Sequence, residues 1–184
     1  MTFNVTEFRA NMVGDGARPN LFQVQMAFPN IASSPLAGQR LSFMAKGSQL
    51  PGSSIGTTSA YYFGREVKFA GNRSFPNWTL TVINDEDFVV RNGFEKWMNA
   101  LNSHSLNVRS VAAVNSLFYA SDATVTQFSK TGLPIKQYKF VGMFPIDLSP
   151  IELDWAQNDT MEEFNVTFDY QYWTSEGPIE ATTT

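Results

Sequence analysis

Over residues 163–173 the side chains alternate without a break, with Phe164, Val166, Phe168, Tyr170 and Tyr172 on one side and Asn165, Thr167, Asp169 and Gln171 on the other. A period of two belongs to a β-strand and cannot line one face of a helix. This segment therefore commits the chain to a half-buried strand in the middle of a sheet. Weaker copies of the pattern recur. Phe22, Val24, Met26 and Phe28 oppose Gln23 and Gln25 over residues 21–28, and Trp78, Leu80 and Val82 oppose Thr79, Thr81 and Ile83. Strands are also expected at residues 41–45, 66–69, 123–128 and 135–144, the last two joined by a turn at Lys130, Thr131 and Gly132 and the last ended by Pro145.

One segment carries a helical period. Val90, Phe94, Trp97, Met98 and Leu101 fall on one stripe of residues 88–101, and Asn84, Asp85, Glu86 and Asp87 before them can cap a helix and suit the positive end of its dipole. Gly93 weakens the helix slightly. Seven or so short strands with one amphipathic helix predict a mainly β fold, an antiparallel barrel or sandwich with one flanking α-helix. A chain of 184 residues is long enough to bury a core without staples, and we read residues 1–184 as one domain. Residues 47–64, rich in Gly and Ser, are expected as a long extended loop or hairpin. Residues 103–118 read as an inserted loop, and residues 174–184 as a flexible tail.

The chain has no Cys and a single His, which removes disulfides, thiolate metal sites, cysteine nucleophiles and multi-His metal centres. His104 lies in a polar stretch with no partner for a triad. The pairs Asp154 with Asp159 and Asp85 with Asp87 lack the hydrophobic setting that would raise one pKa. Gly14-Asp15-Gly16 precedes a strand and lacks the Lys-Ser/Thr of a phosphate loop. No catalytic, cofactor-binding or metal site is expected, and the chain is not read as an enzyme. Neither a leader-like apolar segment nor a run approaching the ~18 apolar residues of a membrane span is present, so it reads as soluble and non-secreted.

Charge is polarised along the sequence. Residues 141–184 hold nine acids and no Lys or Arg, whereas the 140 residues before them hold all 13 basic residues against eight acids. Such asymmetry suits head-to-tail association, and an acidic total without a basic run argues against a dedicated nucleic-acid binder. Tyr61, Tyr62 and Phe63, three aromatics in succession beside a polar loop, suit the buried centre of an interface. The residues alone point to a β-rich module that works by association.

Several stretches carry a resemblance: residues 17–24 (ARPNLFQV), residues 70–86 (AGNRSFPNWTLTVINDE), the helix with Phe94 and Trp97, Gly142-Met143-Phe144-Pro145, Leu153-Asp154-Trp155, residues 163–168 (EFNVTF) and Tyr172-Trp173. In this order, from about Gly14 to Trp173, the chain resembles the tail tube proteins of contractile, T-even-type bacteriophages. The resemblance implies a small β-barrel or sandwich, hexameric rings stacked into a hollow helical assembly, and a virion location after assembly in the host cytoplasm. It implies a conduit for DNA ejection that does not bind DNA specifically. It also implies as partners the tail sheath protein, baseplate or tube-initiating proteins, and a tape measure protein in the lumen. On this reading Leu50, Pro51, Ile55, Tyr61, Tyr62 and Phe63 are candidate inter-subunit contacts. Asp85, Asp87, Arg91, Glu95 and Lys96 are candidates for the face toward the sheath. Tube proteins of type VI secretion systems and contractile bacteriocins share the implied architecture and stay open as alternatives, as does a barrel that binds a small apolar ligand.

Overall fold

The computed structural model describes residues 4–32 and 34–177. A short helix α1 (Val5–Asn11), capped by the Asn4 side chain, precedes strand β1 (Phe22–Met26). Helix α2 (Pro35–Met44) runs directly into β2 (Ala45–Ser48). Strands β3 (Ser54–Tyr62), β4 (Arg65–Ser74) and β5 (Trp78–Ile83) come next, followed by helix α3 (Val89–Leu101) and the single turn α4 (Ser116–Tyr119). The chain ends in β6 (Ser121–Phe128), β7 (Pro134–Leu148), β8 (Glu163–Asp169) and β9 (Tyr172–Glu176).

All strand pairs are antiparallel. The main sheet has seven strands in the order β1-β6-β7-β8-β5-β2, with β9 also on β7, and β3 and β4 form a separate two-stranded sheet. Long β7 belongs to two ladders. Its first half pairs with β6 and β9, and from Phe144 onward it pairs with β8. Just before the switch stands Gly142, whose φ of 66° lies in the left-handed region that side chains disfavour. The layers fold over one another as a sandwich and do not close into a barrel.

One apolar cluster fills the space between them. Trp78 packs on Phe140 and Phe168 at ring-centroid distances of 4.6 and 5.5 Å, and Phe94 of α3 reaches Phe168 at 5.7 Å. Val90, Phe94 and Trp97 are buried as the helical stripe requires, and Trp97 donates its indole N–H to the Tyr119 carbonyl at 2.8 Å. At Gly93 a Cβ would stand 2.9 Å from the Phe28 ring and 3.1 Å from the Ala37 Cβ. The glycine that weakens α3 locally is what lets α2 and Phe28 approach it.

The structure corrects several expectations. Residues 41–44 belong to a helix and not to a strand. Ala37, Leu41 and Met44 share one face at helical spacing and turn inward, while the exposed Phe43, two residues after Leu41, creates the apparent alternation. Pro35 fits the first helical turn, where no N–H is needed. Helix α3 starts at Val89 after Phe88, which has a φ of 53° and makes no side-chain cap; none of the four polar residues before it caps the helix. Pro145 does not end β7, because from Phe144 only the β8 side of that strand is paired and a bulge follows at Pro145/Asp147. Residues 163–173 are not one strand: after Asp169 the chain turns, and Tyr172–Glu176 pairs with β7, leaving Tyr172 exposed. The strand therefore reaches into the expected tail, of which residues 178–184 lie outside the described residues. Residues 103–118 include a 3₁₀ turn at Val111–Ala113 and most of α4.

Candidate functional site

Residues 54–62, expected within an extended loop or hairpin, form one arm of a hairpin. Tyr62 faces Arg65 across a two-residue turn at Phe63 and Gly64, with φ values of 47° and 80°. Positive φ at both positions is the geometry that matches strand twist, and Asn-Gly or Gly-Gly ordinarily supplies it. Phe63 holds this conformation although a bulky side chain disfavours it. Its ring lies edge-on to Tyr62, 4.6 Å between centroids.

Every residue of β3 is exposed, as is every residue of β4 except Gly71. Nine strand residues reach about 30 Å, and a lone two-stranded hairpin is marginal in water. The root, in contrast, is tied down. Trp78 donates its indole N–H to the Gln49 carbonyl at 2.8 Å, and Trp173 donates to the Gly52 carbonyl at 2.9 Å. The hydroxyls of Ser54 and Ser74 meet at 2.8 Å, and Arg73 donates to the Ser53 hydroxyl at 3.2 Å. The hairpin is a projecting arm on a fixed base.

The six candidate contact residues divide accordingly. Leu50 and Pro51 lie in the root, Ile55 at the base of β3, and Tyr61, Tyr62 and Phe63 at the tip, where Phe63 is 92% exposed. They form no single patch. The five candidate residues near α3 are largely engaged within the chain. Arg40 of α2 donates to both Asp85 and Asp87 at 2.8 Å, and these two carboxylates hold its guanidinium above its ordinary pKa. Arg91 donates to Glu95 at 3.0 Å and to the Ser149 carbonyl at 3.2 Å, and lies over the Phe164 ring. Lys96 is exposed on the outer face.

A second surface has no counterpart among those candidates. The segment between β7 and β8 carries Leu153, Trp155 and Met161 at the surface, with Trp155 wholly exposed, and borders a cleft of about 520 Å³ that includes Glu152, Asp154 and Glu162. Leu153 and Trp155 flanking an acid in a non-alternating stretch were its signal in the sequence. More apolar surface lies at Val5 and Phe8 of α1 and at Val111, Leu117 and Phe118. A monomer rarely leaves this much uncovered.

The catalytic candidates do not converge. His104 follows α3 in an exposed turn, its backbone N–H donating to the Asn99 side chain. Asp154 accepts from the Ala156 N–H in a local turn. Among the described residues no three His, Asp or Glu side chains are grouped to hold a metal. No described helix is long and apolar enough to cross a membrane. Among the described residues the centre of the sandwich is filled by large buried side chains, Trp78, Trp97, Phe94, Phe140, Phe164 and Phe168.

The family model described as phage tail tube protein matches residues 17–176. The tail tube protein gp19 of Enterobacteria phage T4 is 30% identical over 166 residues, covering 90% of this chain and 95% of the phage protein. The tail tube protein of Serratia phage KSP90 is 27% identical over 171 residues, covering 92% and 94%. Among solved structures, a chain of the sheath-tube complex of an extracellular contractile injection system, PVC, in its extended state superimposes with a TM-score of 0.60 at 15% identity. The match covers 96% of this chain and 99% of that one. At such identity the likeness shows a common fold.

Proposed function

The chain belongs to the phage tail tube protein family, and from that premise we propose that its copies form six-membered rings stacked into the hollow inner tube of a contractile phage tail. The observation that carries the assembly is the hairpin: two exposed strands on an anchored root, with aromatic residues at the tip. A lone arm of this kind gains its stability from what it docks against. Within the tube, Leu50, Pro51, Ile55 and Tyr61 to Phe63 contribute to contacts between subunits. The outer face of α3, with Lys96, and the Asp85 and Asp87 carboxylates beside it, turn toward the sheath. Sheath and baseplate or tube-initiating proteins are the external partners, a tape measure protein occupies the lumen during assembly, and DNA passes through without specific binding. The subunit assembles in the host cytoplasm and ends in the virion.

Electron microscopy of the purified, concentrated protein tests this directly. Hollow, regularly striated tubes with sixfold cross-sections are expected. A hairpin-shortened variant, with residues 56–71 replaced by a two-residue turn, is expected to stay folded and to form no tubes. Normal tubes from that variant would remove the hairpin from the assembly.

A further inference from the structure

The two exposed aromatic surfaces lie at opposite ends of one ladder. In the β5–β8 pair, Trp78 faces Phe168 and Ile83 faces Glu163. The hairpin leaves the body at the Trp78 end, where only residues 75–77 separate β4 from β5. Residues 149–162 join β7 to β8 at the Ile83–Glu163 end. Five residue steps, about 17 Å of strand, lie between the two exits.

Their charges are opposite. The hairpin carries Arg65, Lys68 and Arg73 against Glu66, whereas residues 150–162 carry Glu152, Asp154, Asp159 and Glu162 with no Lys or Arg. Glu152, Asp154 and Asp159 form no ion pair among the described residues. Each surface also presents large apolar side chains, Tyr61 to Phe63 on one and Leu153, Trp155 and Met161 on the other.

Resting on the tube reading above, we propose that the loop of residues 150–162 is the docking surface for the hairpin of a second copy of this chain, Trp155 packing with the aromatic tip and the loop acids facing Arg65, Lys68 and Arg73. Self-pairing of either surface would set like charges against each other, which costs affinity and disfavours a closed two-fold contact. Unlike surfaces repeat head to tail, closing into a ring or continuing along an axis according to the rotation between copies. Each subunit is then both donor of an arm and receiver of one, so the contact passes from copy to copy.

The absence of native cysteine makes the test clean. Tyr62→Cys and Gln157→Cys, both at exposed positions, are introduced singly and together into the full chain, and the protein is oxidised under conditions where wild-type assembly is followed by electron microscopy. The double variant is expected to give a covalent ladder of trimers and higher species, and each single variant to stay monomeric. Tubes without a ladder overturn this contact and leave the tube reading standing. Disulfide dimers of either single variant overturn the head-to-tail geometry. Neither tubes nor ladder, in wild type and variants alike, overturns both. In a second measurement Lys68→Glu with Arg73→Glu is expected to abolish the ladder in the double-cysteine background, and adding Asp154→Lys with Asp159→Lys to restore it. A ladder unchanged by the first pair, or not restored by the second, overturns the charge pairing.

Discussion

The indole N–H of Trp173 donates to the carbonyl oxygen of Gly52 at 2.9 Å, across a sequence separation of 121 residues. It ties the root of the projecting arm to β9, which is itself paired to β7. The arm's orientation therefore depends on the end of the described chain as well as on its own strands. Trp173→Phe removes the donor and keeps the ring packing against Tyr138. Its expected cost is about 1 kcal/mol, read from the thermal midpoint, with faster hydrogen exchange over residues 49–54. Unchanged exchange there would show that the bond does not hold the root.

Phe63 stands where a hairpin turn ordinarily has Asn or Gly. Phe63→Asn is expected to leave the fold intact, easing the turn while removing the most exposed of the three tip aromatics. The subunit should be at least as stable as wild type in urea but should polymerise only at a higher concentration. Pelleting assays across a dilution series measure this. Equal polymerisation would mean that the strained aromatic is not used between subunits.

Two glycines make opposite local arguments and the same prediction. In α3, Gly93→Ala gains about 1 kcal/mol of helix propensity but places a methyl 2.9 Å from Phe28 and 3.1 Å from Ala37. Overpacking of that kind costs about 1–3 kcal/mol, so the sum is destabilising. Gly142→Ala meets the Gln171 side chain at 3.0 Å and must also hold a φ of 66°. Denaturant unfolding should show both variants less stable than wild type, and a stabilised Gly93→Ala would mean that α2 can retreat freely.

Tyr170 sets a limit on the alkaline side. Burial, and secondarily the neighbouring Asp169 carboxylate, raise its phenol above the ordinary 10.0. Above that pH the unfolded chain sheds the proton while the folded chain keeps it, so the unfolded state binds fewer protons. Stability is whole below about pH 10 and falls as pH rises through the folded value. Tyr170→Phe is expected to flatten this decline in unfolding experiments run across that range. An identical slope in the variant would assign the alkaline loss to other groups.

The core strands were legible because one face of each is buried: Val24, Trp78, Leu80, Val82, Phe164, Val166 and Phe168 all sit where alternation placed them. The same logic failed where exposure broke the link between pattern and fold. Leu36 and Phe43 are apolar and exposed, which hid the Ala37–Leu41 face of α2. Residues 54–74 have no buried face at all, so no period marked the full length of the hairpin. Nothing local in the sequence foretells that Arg40, 45 residues before Asp85, holds two of the candidate charges near α3. The loop with Trp155 alternates in neither period, so nothing in its pattern tells that Leu153, Trp155 and Met161 stay at the surface.

β7 crosses from one ladder to the other between Val141 and Phe144, a stretch that holds Gly142, without a chain break. In a subunit loaded from both ends, tension between the β6–β9 side and the β8–β5 side is borne along a covalent backbone. Ladder hydrogen bonds can be peeled one at a time, but a continuous main chain cannot. The bent strand thus acts as a tie bar between the halves, stiff against separation, with its compliance concentrated at one glycine.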